Sequence, residues 1–331
     1  MNYIGSKYSL LDFLTSTISE VAGNDNKVFA DLFAGTGVVG SRFKEQGYDV
    51  IANDLQYYSY VLNKHLIENI PPLNSEIVEY LNSLNGIEGF VYNNYCLGSG
   101  SGRCYFTDEN GKKCDAIRIE IERLKNTSEI NDAEYYYLLA SLINSIDKYA
   151  NTASVYGAFL KKVKKSAAKS FKLELLPIIS GGKKNKVYNE NVNSIVEKIE
   201  GDILYLDPPY NARQYCTNYH VLETIAKYDS PLLKGKTGLR DYKLQKSAFC
   251  SKRTVEDAFE DVIKKANFKY IFLSYNNEGL MPIEIIKEIM SKYGIYEVYT
   301  KDYKRFKADK EENRNHKANE TIEYLHCLIK S

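Results

Sequence analysis

Short apolar runs and helical apolar spacings alternate along this chain. The runs at 28–33, 48–52, 203–206 and 270–274 are bounded by turn-forming residues, the pattern of strands buried on both faces. Between them, apolar residues recur at helical spacing. The stretches concerned are 3–19 (Leu10, Leu11, Leu14, Ile18), 38–46, 57–69, 115–125 (Ile117, Ile121, Leu124), 132–149, 218–228, 255–266 and 283–292. Two last strands are predicted at 294–299 and 321–329, joined by an exposed hairpin loop over 301–317 with seven basic and four acidic residues. Strands separated by helices and closed by a late hairpin predict an α/β fold, a doubly wound sheet with an antiparallel end strand.

Two turns in this pattern carry candidate chemistry. The run ending at Leu206 meets Asp207-Pro208-Pro209-Tyr210. Two prolines stop a strand and fix a rigid turn, here at the carboxyl end where open α/β sheets bind ligands. The Asp207 carboxylate and the Pro208 carbonyl both accept hydrogen bonds, and Tyr210 offers a ring to stack on. The cluster suits a planar base bearing an amino group; a plain proline turn with Asp207 as turn former is the alternative. Earlier, the strand at 28–33 runs into Ala34-Gly35-Thr36-Gly37, and the next strand ends at Asn53-Asp54. Gly35 and Gly37 would let backbone approach a ligand closely. Asp54, 19 positions after Gly35, has the spacing of an acid that meets a ribose diol. The third glycine of a dinucleotide fingerprint is absent, which favours a nucleoside cofactor without a pyrophosphate.

Lys7 is out of place in this reading. With Ser6 as cap it falls in the first turn of a helix, where a positive charge is disfavoured unless an anion lies nearby; a solvated lysine is the other reading.

Composition narrows the class. The chain has 331 residues, 44% hydrophobic and 26% charged, with a formal net charge of +1, so nucleic acid is not announced by bulk charge. Local clusters differ. Residues 161–186 hold nine lysines against Glu174, and 234–253 hold seven basic residues against Asp241. Phosphate contacts by Lys161, Lys162, Lys164, Lys165, Lys183, Lys184, Arg240 and Lys243 are one reading of these clusters; a solvated helix face is the other. The six cysteines form no C-x-x-C pair and there are four histidines, which argues against a zinc site and for free thiols in a reducing cytoplasm. The first ten residues contain no signal-peptide core, and no run approaches a membrane span.

Taken together, these motifs resemble the α-group, D12-class, Dam-like DNA adenine-N6 methyltransferases. Tyr3-Ile4-Gly5-Ser6-Lys7 is similar to that family's motif X, Asp31 to Gly37 to its motif I, Asn53-Asp54 to motif II, and Asp207-Pro208-Pro209-Tyr210 to motif IV. The segments 103–118 and 211–225 most resemble methylases of type IIS restriction systems. Where the family often carries an acid before motif IV, this chain has Asn189-Glu190-Asn191.

The resemblance implies a Rossmann-like sheet formed by 1–70 and 187–331, with an inserted, mainly helical DNA-recognition region at 71–186. It implies S-adenosylmethionine as cofactor. Asp54 would then bind the ribose, Phe33, Gly35 and Gly37 the methionine part, Asp31 the amino group, and Lys7 and Tyr3 the carboxylate. Asp207, beside both ligands, and Pro208 would accept from N6 of an adenine flipped out of double-stranded DNA, with Pro209 shaping the turn and Tyr210 stacking on the base. It leaves room for a cognate restriction endonuclease acting separately. A catalytically inactive nucleic-acid binder on the same fold is the rival. Cytosine N4, RNA or a protein amide are rival acceptors, disfavoured by Asp before Pro-Pro-Tyr.

Overall fold

The computed structural model describes residues 3–23, 25–68, 73, 75–303 and 321–331. The chain divides into two compact units. One comprises Ser6–Leu55, Ser180–Gln214 and Lys246–Ser331; the other comprises Met1–Gly5, Gln56–Ile179 and Tyr215–Gln245.

The first unit holds seven strands: β1 (Val28–Asp31), β2 (Asp49–Asn53), β3 (Lys186–Tyr188), β4 (Glu200–Leu206), β5 (Asn267–Asn276), β6 (Gly294–Tyr303) and β7 (Thr321–Lys330). They form one sheet in the order β3-β2-β1-β4-β5-β7-β6. β3, β2, β1, β4 and β5 run parallel, while β7 lies antiparallel between β5 and β6. This is a Rossmann-like sheet with an antiparallel end. Ile203, Leu204, Tyr205 and Leu206 of β4 are all buried, as a central strand covered on both faces requires. Helices Val255–Lys265 and Ile283–Ser291 bury Val255, Phe259, Val262, Ile286 and Met290 in the same core as Leu204 and Leu206.

The strand at Lys186–Tyr188 was not predicted. It is three residues long, opens on an exposed lysine and has one buried side chain, Val187, so it carries no apolar run. The expected hairpin loop at 301–317 falls, beyond Tyr303, outside the described residues, as does the expected helix end at Asn69.

The second unit is helical. Its longer helices are Tyr57–Leu66, Asp108–Asn126, Asp132–Lys148 and His220–Lys227. An Asn131–Glu134 capping box starts the third of these: the Asn131 side chain accepts from the Glu134 N–H at 2.9 Å, and Glu134 accepts from the Asn131 N–H at 2.8 Å. The helix Asp108–Asn126 begins a full two turns before its apolar spacing does. Thr107 caps it, and polar residues fill those turns.

The unit boundaries differ from those expected. Helices Tyr57–Leu66 and His220–Lys227 were assigned to the catalytic part, but both belong to the helical unit. The reason is their apolar faces. Val61, Leu62, Val221, Leu222 and Ile225 share one core with Leu138, Leu142 and Ile146. The basic segment 161–186 is not the helix face considered as an alternative; it contains no helix. Its backbone is held instead by side chains. Asn110 donates to the Ala167 and Lys169 carbonyls and accepts from the Phe171 N–H, and Asn82 both accepts from and donates to Leu173.

Leu142 is fully buried in this helical core. Leu142→Ala should lower unfolding free energy by about 2–5 kcal/mol. Asn131→Ala, which removes only the cap, should cost about 1 kcal/mol. Urea unfolding followed by circular dichroism measures both, and the order of the two losses is the test.

Candidate active site

The carboxyl ends of β1, β2 and β4 lie side by side, because register pairs Asp31 with both Ala52 and Tyr205. Each of the three strands therefore delivers an acid or its neighbour to one edge. After β1 the chain turns through Gly35, with φ 52°, and Gly37, with φ 77°, before the helix Val38–Glu45. The turn is pinned from β2. The Asp54 carboxylate accepts from the Gly35 N–H at 2.8 Å, and the Asn53 carbonyl accepts from the Ala34 N–H at 3.0 Å.

Asn53 is the latch of this edge. Its side-chain amide donates to the carbonyls of Leu32 at 3.2 Å and Glu190 at 3.1 Å, and its oxygen accepts from the Glu190 N–H at 3.0 Å. Asn189, standing where the family often carries an acid, donates to the Asp54 carbonyl at 2.7 Å. Asn53 and Asn189 were not predicted to have these roles, although both flank motif positions.

Asp31 is buried, and one of its carboxylate oxygens has no hydrogen-bond partner. Burial pushes its carboxyl well above the usual range and Asp207 adds to this, against the backbone groups of Phe33 and Gly40. Phe33 is half-buried and packs edge-on against Phe249 at 5.1 Å.

After β4, the Asp207 side chain is 18% exposed and its Oδ1 lies 3.2 Å from Lys7 Nζ. Lys7 Nζ also donates to Glu323 Oε1 at 2.7 Å, and Ser274 Oγ donates to the same oxygen at 2.7 Å. Burial raises the Asp207 pKa to about 6; Lys7 opposes the rise and Glu323 adds to it. Burial works against the Lys7 charge, yet Asp207 and Glu323 outweigh it and hold the ammonium well above its ordinary pKa.

This corrects the reading of Lys7 as a solvated first-turn residue capped by Ser6. The helix begins only at Leu11, after a short 3-10 turn at Tyr8–Leu10. The anion that Lys7 called for is supplied by the protein's own carboxylates, so its ammonium is directed at Asp207 and Glu323. Glu323 and Ser274 had no sequence signal. Both sit within strands whose neighbours are apolar, and only the β5–β7 register, with Asn276 opposite Glu323, brings them together.

Pro208 is buried and Pro209 half-buried. The Tyr210 carbonyl accepts from the Leu280 N–H at 2.9 Å, and its half-buried ring meets Tyr275 edge-on at 6.5 Å, with Lys7 Nζ 6.0 Å from the ring centre.

Tyr3 is placed in the helical unit. It stacks on Tyr219 at 4.6 Å and shares a 3.0 Å hydrogen bond with the Tyr58 hydroxyl.

The predicted basic residues separate into two kinds. Lys161, Lys162, Lys165, Lys183, Lys184 and Lys243 are exposed. Arg240 is not: it is 7% exposed and forms a two-pronged pair with Asp229 at 2.6 and 3.0 Å. Lys164 is half-buried and donates to the Thr152 carbonyl at 2.9 Å. Both are therefore structural contacts, and neither belongs with the exposed lysines. Among the described residues no cluster of His, Cys, Asp or Glu is arranged to hold a metal ion, and no helix is long and apolar enough to cross a membrane.

The family model described as D12 class N6 adenine-specific DNA methyltransferase matches residues 3–292. The chain is 55% identical to the type II methyltransferase M.NlaIII of Neisseria lactamica, with both proteins covered in full. It is 44% identical to M.FokI of Planomicrobium okeanokoites, of which it spans 53%. It is 38% identical to M.CviAII of Paramecium bursaria Chlorella virus 1, with 93% of each covered. The family match begins before Lys7 and continues past Asp207, and full-length identity above one half accompanies it; the chain belongs to the D12 class of N6-adenine-specific DNA methyltransferases.

Proposed function

We propose that the protein takes its methyl group from S-adenosylmethionine and places it on N6 of an adenine flipped out of a short specific site in double-stranded DNA. The observation that carries the reading is the half-buried Asp207 carboxylate, fixed by Lys7 at the end of β4 beside Tyr210.

The residues fit the cofactor. Asp207 and Glu323 share one buried ammonium, Lys7, while Asp31 feels the charges of Asp207 and Asp54 and keeps an oxygen without a partner. A surplus of carboxylates at a half-buried edge suits a ligand that carries positive charge. Asp54 would hold the ribose, Phe33 and the Gly35–Gly37 turn the methionine part, and Asp31 its ammonium. When bound, S-adenosylmethionine supplies an electrophilic methyl group on a sulfonium.

The lone pair on N6 of adenine is delocalised into the ring, so the nitrogen is a poor nucleophile. Asp207 and the carbonyl of Pro208 accept hydrogen bonds from N6 and draw the nitrogen toward tetrahedral geometry. Tyr210 stacks on the base and fixes its plane. Alignment of this kind is worth up to about 7–11 kcal/mol in favourable cases.

The helical unit is the reading's target-recognition region. Exposed Lys161, Lys162, Lys165 and Lys243 there, and Lys183 and Lys184 in the sheet unit, would meet phosphates. The names of relatives, type II methyltransferases and modification methylases, support a place in a restriction–modification pair, with the endonuclease acting separately and both working in the cytoplasm on this reading.

Purified protein, duplex plasmid and labelled S-adenosylmethionine should yield label in N6-methyladenine after digestion to nucleosides. Label in N4-methylcytosine, or in no nucleoside, rejects the reading.

Asp207→Ala should slow single-turnover transfer by roughly 100- to 1000-fold, because one acceptor on the reacting nitrogen is lost. The wild-type rate should be full well above pH about 6 and fall as pH drops through that value, since the raised Asp207 pKa is the point at which its carboxylate gains a proton. A rate that ignores pH across that interval detaches Asp207 from the step.

Lys161→Ala with Lys165→Ala should flatten the dependence of log affinity on log salt by about 0.9 for each phosphate contact removed. Arg240→Ala should lower stability, since it strips Asp229 of its partner. If the lysine variants bind DNA with the wild-type salt slope, these lysines are a solvated surface.

A further inference from the structure

The geometry points to Glu323 as a positioning residue for methyl transfer, one that sets the Asp207 carboxylate through Lys7. This rests on the proposed adenine chemistry and extends it to a strand that none of the recognised motifs includes.

Three observations carry it. First, Lys7 Nζ lies closer to Glu323, at 2.7 Å, than to Asp207, at 3.2 Å. The ammonium is thus anchored on Glu323 and only shared with Asp207. Second, Glu323 is itself fixed. It is 4% exposed on β7, opposite Asn276, and accepts from Ser274 Oγ on the same sheet face. Third, the arrangement is a poor choice for stability alone. A buried ion pair rarely outperforms well-packed apolar groups of the same volume, because removing charges from water opposes the attraction between them. Two carboxylates on one lysine make that balance worse.

What the trio does provide is graded control of Asp207. A lysine paired with Asp207 alone would draw its carboxylate close and weaken it as an acceptor. With Glu323 holding most of the ammonium, Asp207 stays ionised at neutral pH yet keeps acceptor strength for the amino group of the base. The groups facing Asp207 are Lys7 and Glu323, together with Tyr205, Tyr210 and Asp31. Glu323 is the carboxylate among them that touches Lys7 directly.

The test is single-turnover methylation of a duplex substrate at saturating S-adenosylmethionine, followed from about pH 5 to about pH 8, with N6-methyladenine as the product scored. Glu323→Gln keeps the shape and removes the charge. Lys7 then shifts to Asp207, so the plateau rate should fall on the order of tenfold, as for loss of one contact to a charged group. The acid limb should also move to lower pH, because the carboxylate that raised the Asp207 pKa is gone. A loss of folded protein lowers the plateau and leaves the limb in place. Glu323→Asp, which keeps the charge, should leave the limb near the wild-type position.

If Glu323→Gln does not fold, Glu323→Met, which also removes the charge and fills the buried space, is read the same way, with a limb shifted to lower pH expected. A limb that stays at the wild-type position in the folded variant overturns the role of Glu323. A wild-type protein that makes no N6-methyladenine overturns the adenine reading itself, whatever the variants do.

Discussion

A single ammonium buried between two carboxylates is the constraint on which the α/β unit's sheet edge depends. Lys7, Asp207 and Glu323 come from the N-terminal segment, the turn after β4 and β7, and none of the three could be buried alone without losing its charge. Their mutual compensation lets a carboxylate sit in a half-dry place at the sheet edge and remain a carboxylate. The backbone supports this with few demands. The prolines after Asp207 define the turn, and the Leu280 N–H holds the chain at Tyr210.

The sheet order gives the rest of the site its form. Because β1 lies between β2 and β4, the glycine turn has a carboxylate on each side, Asp54 from one neighbour and Asp207 from the other. Asn53 ties the ends of β1 and β2 to the segment after β3 with one amide group, so the edge is a hydrogen-bonded rim. The helical unit follows different physics. Its tyrosine-rich core packs aromatic and aliphatic side chains from helices far apart in sequence, and its irregular segment at 167–176 is held by Asn110, Asn82, Ser141 and Ser145.

Much of this was legible in the sequence, for identifiable reasons. A strand that ends in Asp-Pro-Pro-Tyr, and a glycine turn followed at fixed distance by an acid, are local patterns, and local patterns survive in one dimension. The α/β architecture, the direction of the last strands and the placing of Asp31, Asp54 and Asp207 at one edge all followed from them. What was not legible depends on register. Glu323 reads as one polar residue in the last strand, and Lys7 as a lysine that is solvated or awaits a ligand's anion, until the pairing of β5 with β7 is known. Arg240 reads as part of a basic cluster because its partner Asp229 lies just outside the segment. The compact units divide at other places than the expected domains for a related reason. The helix at His220–Lys227 follows the Asp207–Tyr210 turn closely in sequence, but its apolar face matches the helical core.

The position of β7 has a consequence for how the protein comes into being. It follows β5 and β6 in sequence, yet it enters the sheet between them. Until it arrives, β5 offers an unpaired inner edge and Lys7 has one carboxylate in place of two. On the ribosome, then, the sheet would exist as an open intermediate whose exposed edge invites wrong pairing. Competence for chemistry would be withheld until β7 has been threaded in. A nascent protein still without β7 would carry every recognisable motif and lack a finished site.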